Sequence, residues 1–231
     1  MPRKPPAGSG ESARKYAFDQ LRQAILRGDL VPGQRMHEPE FAERFRVTRG
    51  SVRAAMIDLT AEGLVERVHH RGARVRVISL DEAVAIAECR MALEGLCASK
   101  AALLATDAQI DELNGLSDEM ATAVTEGALT SYSALNRNLH AQLVAYSQQR
   151  SAGRVLERLN AQLVRHQYRL ALLPGRPHQS LREHMAIIEA VRARDPQAAE
   201  AAARAHLCSV IQTLRSQATS PTPAVIHPIP V

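Results

Sequence analysis

The sequence predicts a mostly α-helical protein: a small N-terminal domain of three helices and a β-hairpin, then an antiparallel bundle of six to seven helices. Hydrophobic residues make up 45% of the chain but aromatic residues only 3%, and there is no Trp. This composition is typical of a helix-rich protein with an aliphatic core. Helical spacing of apolar residues dominates the chain, and strand-like alternation occurs only in one short stretch before residue 79.

The N-terminal domain is predicted to span residues 12–78, after a segment rich in Pro, Gly and charge, residues 1–11, that we expect to be disordered. Its predicted elements are helices over 12–28, 38–45 and 48–62 and strands over 64–68 and 73–78. Three helices followed by a hairpin indicate a winged helix-turn-helix, whose third helix enters a major groove.

Charge and side-chain chemistry favour DNA as the partner of this domain. Residues 1–78 carry 15 Lys+Arg and 9 Asp+Glu, whereas residues 79–231 carry 14 and 15. The excess of basic residues in the N-terminal domain favours a polyanionic partner such as DNA. A basic surface that only contacts solvent would explain the same charge equally well. The third helix begins with groups that suit phosphates and base edges, namely Thr48, Arg49, Gly50, Ser51 and Arg53. Residues at core-facing spacing are Phe41, Phe45, Val52, Met56 and Leu59.

The second domain is predicted to cover residues 79–218 and to contain only helices. The predicted helices span 81–104, 107–126, 130–148, 151–172, 178–194 and 196–217. A Pro-rich tail, residues 219–231, is expected to be mobile. We expect a cytoplasmic protein, because no membrane span or signal peptide is recognisable. Three cysteines make a disulfide framework unfavourable.

Three of the nine histidines, His140, His184 and His206, lie within apolar helical stripes and are expected to point inward. Asn136 lies one helical turn before His140 on the same face. Three imidazoles and an oxygen would suit Zn²⁺ or a similar divalent ion. Alternatively, each of these histidines could be a buried core residue that makes hydrogen bonds and binds no metal, which explains its inward position equally well. Arg90 and Glu94 are predicted to pair, unless Arg90 faces a cavity and binds a carboxylate there, and Glu183 is expected to be a solvated or helix-capping charge.

The segment over residues 30–72, which includes PEFAERFRVTRGSVRAAM, resembles the DNA-binding domain of the GntR regulators, and the helical bundle resembles the FCD effector domain of their FadR-like branch. The resemblance covers residues 12–217. It implies a dimeric transcriptional regulator that binds an inverted-repeat operator through the start of the third helix and through the wing. The wing residues that it implies are Arg71 and Gly72.

For the bundle, the resemblance implies a divalent metal, Zn²⁺ first and Ni²⁺ or Mn²⁺ as alternatives, and an effector carboxylate bound by Arg90. The implied metal ligands are Asn136, His140, His184 and His206. Two positions depart from the family pattern: Ala54 replaces a Glu, and Asn136 replaces the commoner Asp. Two alternatives to an effector-controlled repressor stay open, a metal-dependent hydrolase and a constitutive DNA-binding protein with a structural metal.

Overall fold

A computed structural model describes residues 10–68 and 72–219. These residues form two compact units, one up to Ile78 and one beginning at Ser79. No helix in these ranges is long and apolar enough to cross a membrane. The first unit contains the predicted three helices and hairpin, and the second contains helices alone, so the predicted fold class is confirmed. The predicted disorder of residues 1–11 and mobility of residues 219–231 are wrong at their inner ends, because Gly10 and Glu11 begin the first helix and Thr219 ends the last one. The rest of both predictions, residues 1–9 and 220–231, lies outside the described residues.

The first unit is built on three short helices, α1 (Gly10–Arg27), α2 (Glu38–Phe45) and α3 (Arg49–Ala61). Thr48 caps α3, because its hydroxyl accepts a hydrogen bond from the Ser51 amide at 3.1 Å. Between α2 and α3 the chain turns at Arg46, whose left-handed φ of 56° ends α2. All five predicted core residues are buried, with exposed fractions between 0% and 8%: Phe41, Phe45, Val52, Met56 and Leu59.

The wing is a three-stranded sheet and not the two-stranded hairpin that the sequence predicts. Strands β2 (Val65–Val68) and β3 (Gly72–Val75) pair antiparallel as expected. The additional strand β1 (Arg35–Met36) pairs with the outer edge of β3. A two-residue strand is too short to show any alternation in the sequence, so its pairing depends on a distant partner.

The second unit is a bundle of six helices in the described residues: α4 (Leu80–Leu104), α5 (Asp107–Thr125), α6 (Leu129–Tyr146), α7 (Arg150–Ala171), α8 (Arg176–Arg192) and α9 (Pro196–Thr219). Thr106 and Gln109 form a capping box at the start of α5. Aliphatic residues of α4, α5, α6, α8 and α9 share one core. The functional side chains described below project into this helical interior.

Leu113→Ala should lower the free energy of unfolding by about 2–5 kcal/mol, because it opens a cavity in the shared core. Leu113 is 1% exposed. Leu172→Ala is the matched control, since Leu172 is 52% exposed and its truncation should change stability by less than about 0.5 kcal/mol. Urea unfolding measures both values. Equal losses in the two variants would contradict the packing described here.

Candidate metal centre and DNA-binding helix

Three imidazole rings from separate helices meet inside the bundle. His140 lies on α6, His184 on α8 and His206 on α9. The ring centroids of His184 and His206 are 4.5 Å apart, and the His140 ring lies 5.3 Å from the first and 5.4 Å from the second. One nitrogen of each ring lies within 4.8 Å of those of the others. Three nitrogens this close together could hold one cation.

Burial favours the neutral form of two of these rings. His184 is fully buried and His206 is 4% exposed. Burial lowers the pKa of the His184 imidazole well below its ordinary value, and the nearby His206 and His140 rings lower it further. Burial also lowers the pKa of His206, although Glu183 opposes this effect. A neutral imidazole has a free lone pair and is the form that coordinates metals.

Each ring is held through its Nδ1 atom. Nδ1 of His140 lies 2.8 Å from Oε2 of Glu94, and Nδ1 of His206 lies 2.8 Å from Oε2 of Glu183. Nδ1 of His184 lies 3.3 Å from the Tyr132 hydroxyl. Contacts of this kind orient metal-ligating histidines and leave Nε2 for the metal. Nε2 of His184 is buried and has no hydrogen-bond partner.

The carboxylate behind His140 is itself paired. Nε of Arg90 donates to Oε1 of Glu94 at 2.7 Å, and both side chains are at least nine-tenths buried. Burial alone would raise the pKa of the Glu94 carboxyl, but Arg90 and His140 outweigh it and hold the pKa far below its usual range. The predicted Arg90–Glu94 ion pair is therefore confirmed, and it lies directly behind a candidate ligand.

Glu183 supplies the carboxylate that contacts His206, so the expectation that Glu183 is solvated is wrong. Glu183 is half-buried and accepts hydrogen bonds from Arg176, whose NH1 also donates to the Ser209 hydroxyl at 2.9 Å. Burial raises the pKa of the Glu183 carboxyl, but hydrogen bonds from His206, Ser209 and Arg176 lower it to about 2. The sequence places Glu183 beside His184, whereas its side chain reaches His206 on the next helix.

Asn136 is the fourth candidate ligand. It lies on α6 one turn before His140, and its Oδ1 is buried without a hydrogen-bond partner. A buried oxygen without a hydrogen-bond partner is unfavourable unless a water molecule or an ion binds to it. Oδ1 of Asn136 and Nε2 of His184 therefore fit a donor set that is completed by a cation.

A small cavity of about 10 Å³ lies beside His140 and is lined by Glu94, Cys97 and Leu143, among others. This volume holds about one water molecule. Cys97 is 1% exposed, and burial raises the pKa of its thiol. An organic ligand larger than water requires the helices around this cavity to move apart.

The start of α3 presents four of its five candidate contact residues to solvent. Arg49, Gly50 and Arg53 are exposed, and Thr48 is exposed while it caps the helix. Ser51 is buried, and its hydroxyl shares a hydrogen bond with the Thr48 hydroxyl. Ser51 therefore stabilises the start of the helix in this structure.

Glu38 of α2 orients Arg53. Oε2 of Glu38 accepts a hydrogen bond from Nη2 of Arg53 at 2.8 Å, and Nε of Arg53 donates to Oε1 at 2.9 Å. A cleft of about 220 Å³ separates α3 from the wing and is lined by Arg53, Arg67 and Gly72, among others. Gly72 is exposed with a φ of 82°, and Arg71 lies outside the described residues.

Comparisons with known proteins agree with both units. Residues 14–75 match the family model of bacterial regulatory proteins, gntR family, and residues 85–208 match that of the FCD domain. The chain is 30% identical to the HTH-type transcriptional repressor RspR of Escherichia coli K12, over 84% of this chain and 86% of that protein. This chain belongs to the GntR family, with an FCD domain. The GntR-family assignment makes it a DNA-binding transcriptional regulator and not an enzyme.

Two further comparisons place this GntR-family regulator among its relatives. It is 27% identical to the HTH-type transcriptional repressor NanR of Enterobacter sp. (strain 638), over 87% of this chain and 86% of that protein. The solved structure of E. coli McbR/YncC superposes with a TM-score of 0.73 at 18% identity and covers 89% of this chain and 98% of that one. The second likeness shows the shared fold.

Proposed function

We propose that this regulator is a homodimeric repressor that binds an inverted-repeat operator and responds to an organic acid bound beside a divalent cation. The observation that carries the proposal is the convergence of three imidazole nitrogens within 4.8 Å of one another. The ligands would be His140, His184, His206 and Oδ1 of Asn136. Such nitrogen-rich sets suit Zn²⁺ best, with Ni²⁺ and Mn²⁺ as alternatives.

Charge supports an anionic effector. The four ligand groups would be neutral, since Asn136 carries an amide in place of a carboxylate. The two nearby carboxylates do not supply free negative charge, because Glu94 pairs with Arg90 and Glu183 pairs with Arg176. A bound dication would therefore keep much of its charge, which an effector carboxylate would neutralise.

Effector and DNA binding would be linked through movement of the bundle. The cavity beside His140 holds about one water molecule, so an organic acid would have to separate helices as it binds. If one arrangement of the two DNA-binding units suits the operator better, that movement changes operator affinity. A purely structural metal predicts instead an operator affinity that no acid alters.

Purified protein should bind one divalent ion per chain, and His184→Ala and His206→Ala should each abolish tight binding by removing one of few ligands. His178→Ala is the matched control, because His178 is exposed on α8 and outside the cluster. Elemental analysis after dialysis measures the content. Metal that stays bound in the two cluster variants would show that the ion sits elsewhere.

Arg53→Ala should weaken operator binding by about 1–3 kcal/mol, because an exposed guanidinium on α3 can bind a guanine edge or a phosphate. Arg27→Ala is the control, since Arg27 is likewise exposed and paired with an acid, Asp29. Fluorescence anisotropy on a selected operator measures both. Equal affinities of Arg53→Ala and wild type would remove Arg53 from the interface.

The proposed role of Arg90 in effector binding needs a variant that does not leave Glu94 unpaired, since a lone buried charge is strongly destabilising. The double variant Arg90→Met with Glu94→Gln removes both charges together. We expect it to keep operator binding and to lose at least about 10-fold in affinity for the acid, as a lost charge-assisted contact would cause. Calorimetry with a panel of organic acids measures this affinity. A full response in the double variant would contradict the role.

A further inference from the structure

One face of helix α4 is uncovered within the described part of the bundle. The other faces of α4 pack against α6, α7, α8 and α9. The uncovered face, here called the α4 seam, consists of Ala85, Cys89, Ala92, Leu96, Ser99 and Leu103. Ser99 is half-buried and the other five residues are exposed, including Leu96 at 40% and Leu103 at 60%. A continuous apolar strip on a regular helix marks an interaction surface.

The spacing of the α4 seam is that of a coiled coil. Successive members alternate between steps of four and three residues along the helix. This alternation keeps the side chains on one line where two helices wrap around each other, with the seam residues at the a and d positions. The occupant that fits this seam is another helix.

The side-chain sizes along the α4 seam are complementary to those of a second copy that runs antiparallel to it. Its members lie in pairs equidistant from residue 94. An antiparallel copy would therefore set Leu96 opposite Ala92, and Leu103 opposite Ala85. Each large side chain meets a small one, which is the alternation that close packing requires. Cys89 would lie opposite Ser99, two residues of similar size.

We propose that two copies of this chain associate through antiparallel pairing of their α4 seams around a two-fold axis near residue 94. This proposal deepens the homodimer of the proposed function by assigning its surface. Arg90 and Glu94 lie on the buried side of the same helix, where Glu94 contacts His140. One helix would thus join the dimer axis to the candidate metal centre.

Leu96→Glu should raise the dimer dissociation constant about 100-fold or more, since it would bury a carboxylate opposite Ala92 without a partner. Leu172→Glu is the matched control, because Leu172 is an exposed leucine at the end of α7, at 52%. Sedimentation velocity of the full chain without DNA measures both, and circular dichroism checks that the fold is kept. A Leu96→Glu protein that dimerises like wild type would overturn the proposal.

Disulfide trapping tests the direction independently of affinity. In a Cys208→Ser background, Ser99→Cys should give a covalent dimer on mild oxidation through Cys89 of one copy and residue 99 of the other. The two positions are about 15 Å apart on their own helix and cannot bridge within one chain. Adding Cys89→Ala should abolish the cross-link. Cross-linking of Cys89 to Cys89 in the background protein would indicate parallel pairing and overturn the proposal.

The homodimer and the surface assigned to it can be tested separately. A wild-type chain that is monomeric at micromolar concentration would overturn both the homodimer and its surface. A wild-type dimer that is insensitive to Leu96→Glu, and that forms no cross-link from Cys89 when Ser99→Cys is introduced, would overturn the surface alone. Dimerisation lost in Leu96→Glu and retained in Leu172→Glu supports both.

Discussion

The candidate metal centre depends on two carboxylates, each of which fixes the orientation of one imidazole. Glu94 holds His140 and Glu183 holds His206, each through Nδ1 at 2.8 Å. Each carboxylate is also paired with an arginine, Glu94 with Arg90 and Glu183 with Arg176. Without these contacts the rings could turn, and their nitrogens would no longer lie within 4.8 Å of one another. The buried charges thus orient the candidate ligands.

Helix α4 links the surroundings of the candidate metal centre to the α4 seam. Its inner side carries the Arg90–Glu94 pair, and its outer side carries the α4 seam. A helix is stiff along its length, so a change around Glu94 would be felt along the seam. An effector that separates helices near His140 would therefore act on the same helix through which we propose that two copies pair. This arrangement gives a physical route from ligand to dimer geometry.

The sequence was sufficient to predict features that local chemistry decides. Helical spacing identified the three inward histidines, and the hydroxyl of Thr48 followed by apolar residues marked the start of α3. The sequence did not predict features that depend on distant partners. β1 exists only because β3 offers it an edge, and Glu183 was misplaced because its partner, His206, is on another helix.

The Glu38–Arg53 pair shows the same limit within the DNA-binding unit. The absence of a Glu at position 54 was visible in the sequence, but the carboxylate that pairs with Arg53 comes from α2, fifteen positions away. Spacing within one helix could not reveal it, since the contact depends on how α2 and α3 cross. The same crossing buries Phe41, Phe45 and Met56, which the sequence did predict.

The convergent imidazoles of His140, His184 and His206 are proposed to hold a metal ion. X-ray absorption at the zinc edge of the full chain, loaded with one equivalent of Zn²⁺, tests this coordination. We expect a first shell of nitrogen and oxygen only, at about 2.0–2.1 Å, with the multiple-scattering pattern of three imidazoles. A shell that contains sulfur at about 2.3 Å, or one with fewer than three imidazoles, would contradict it.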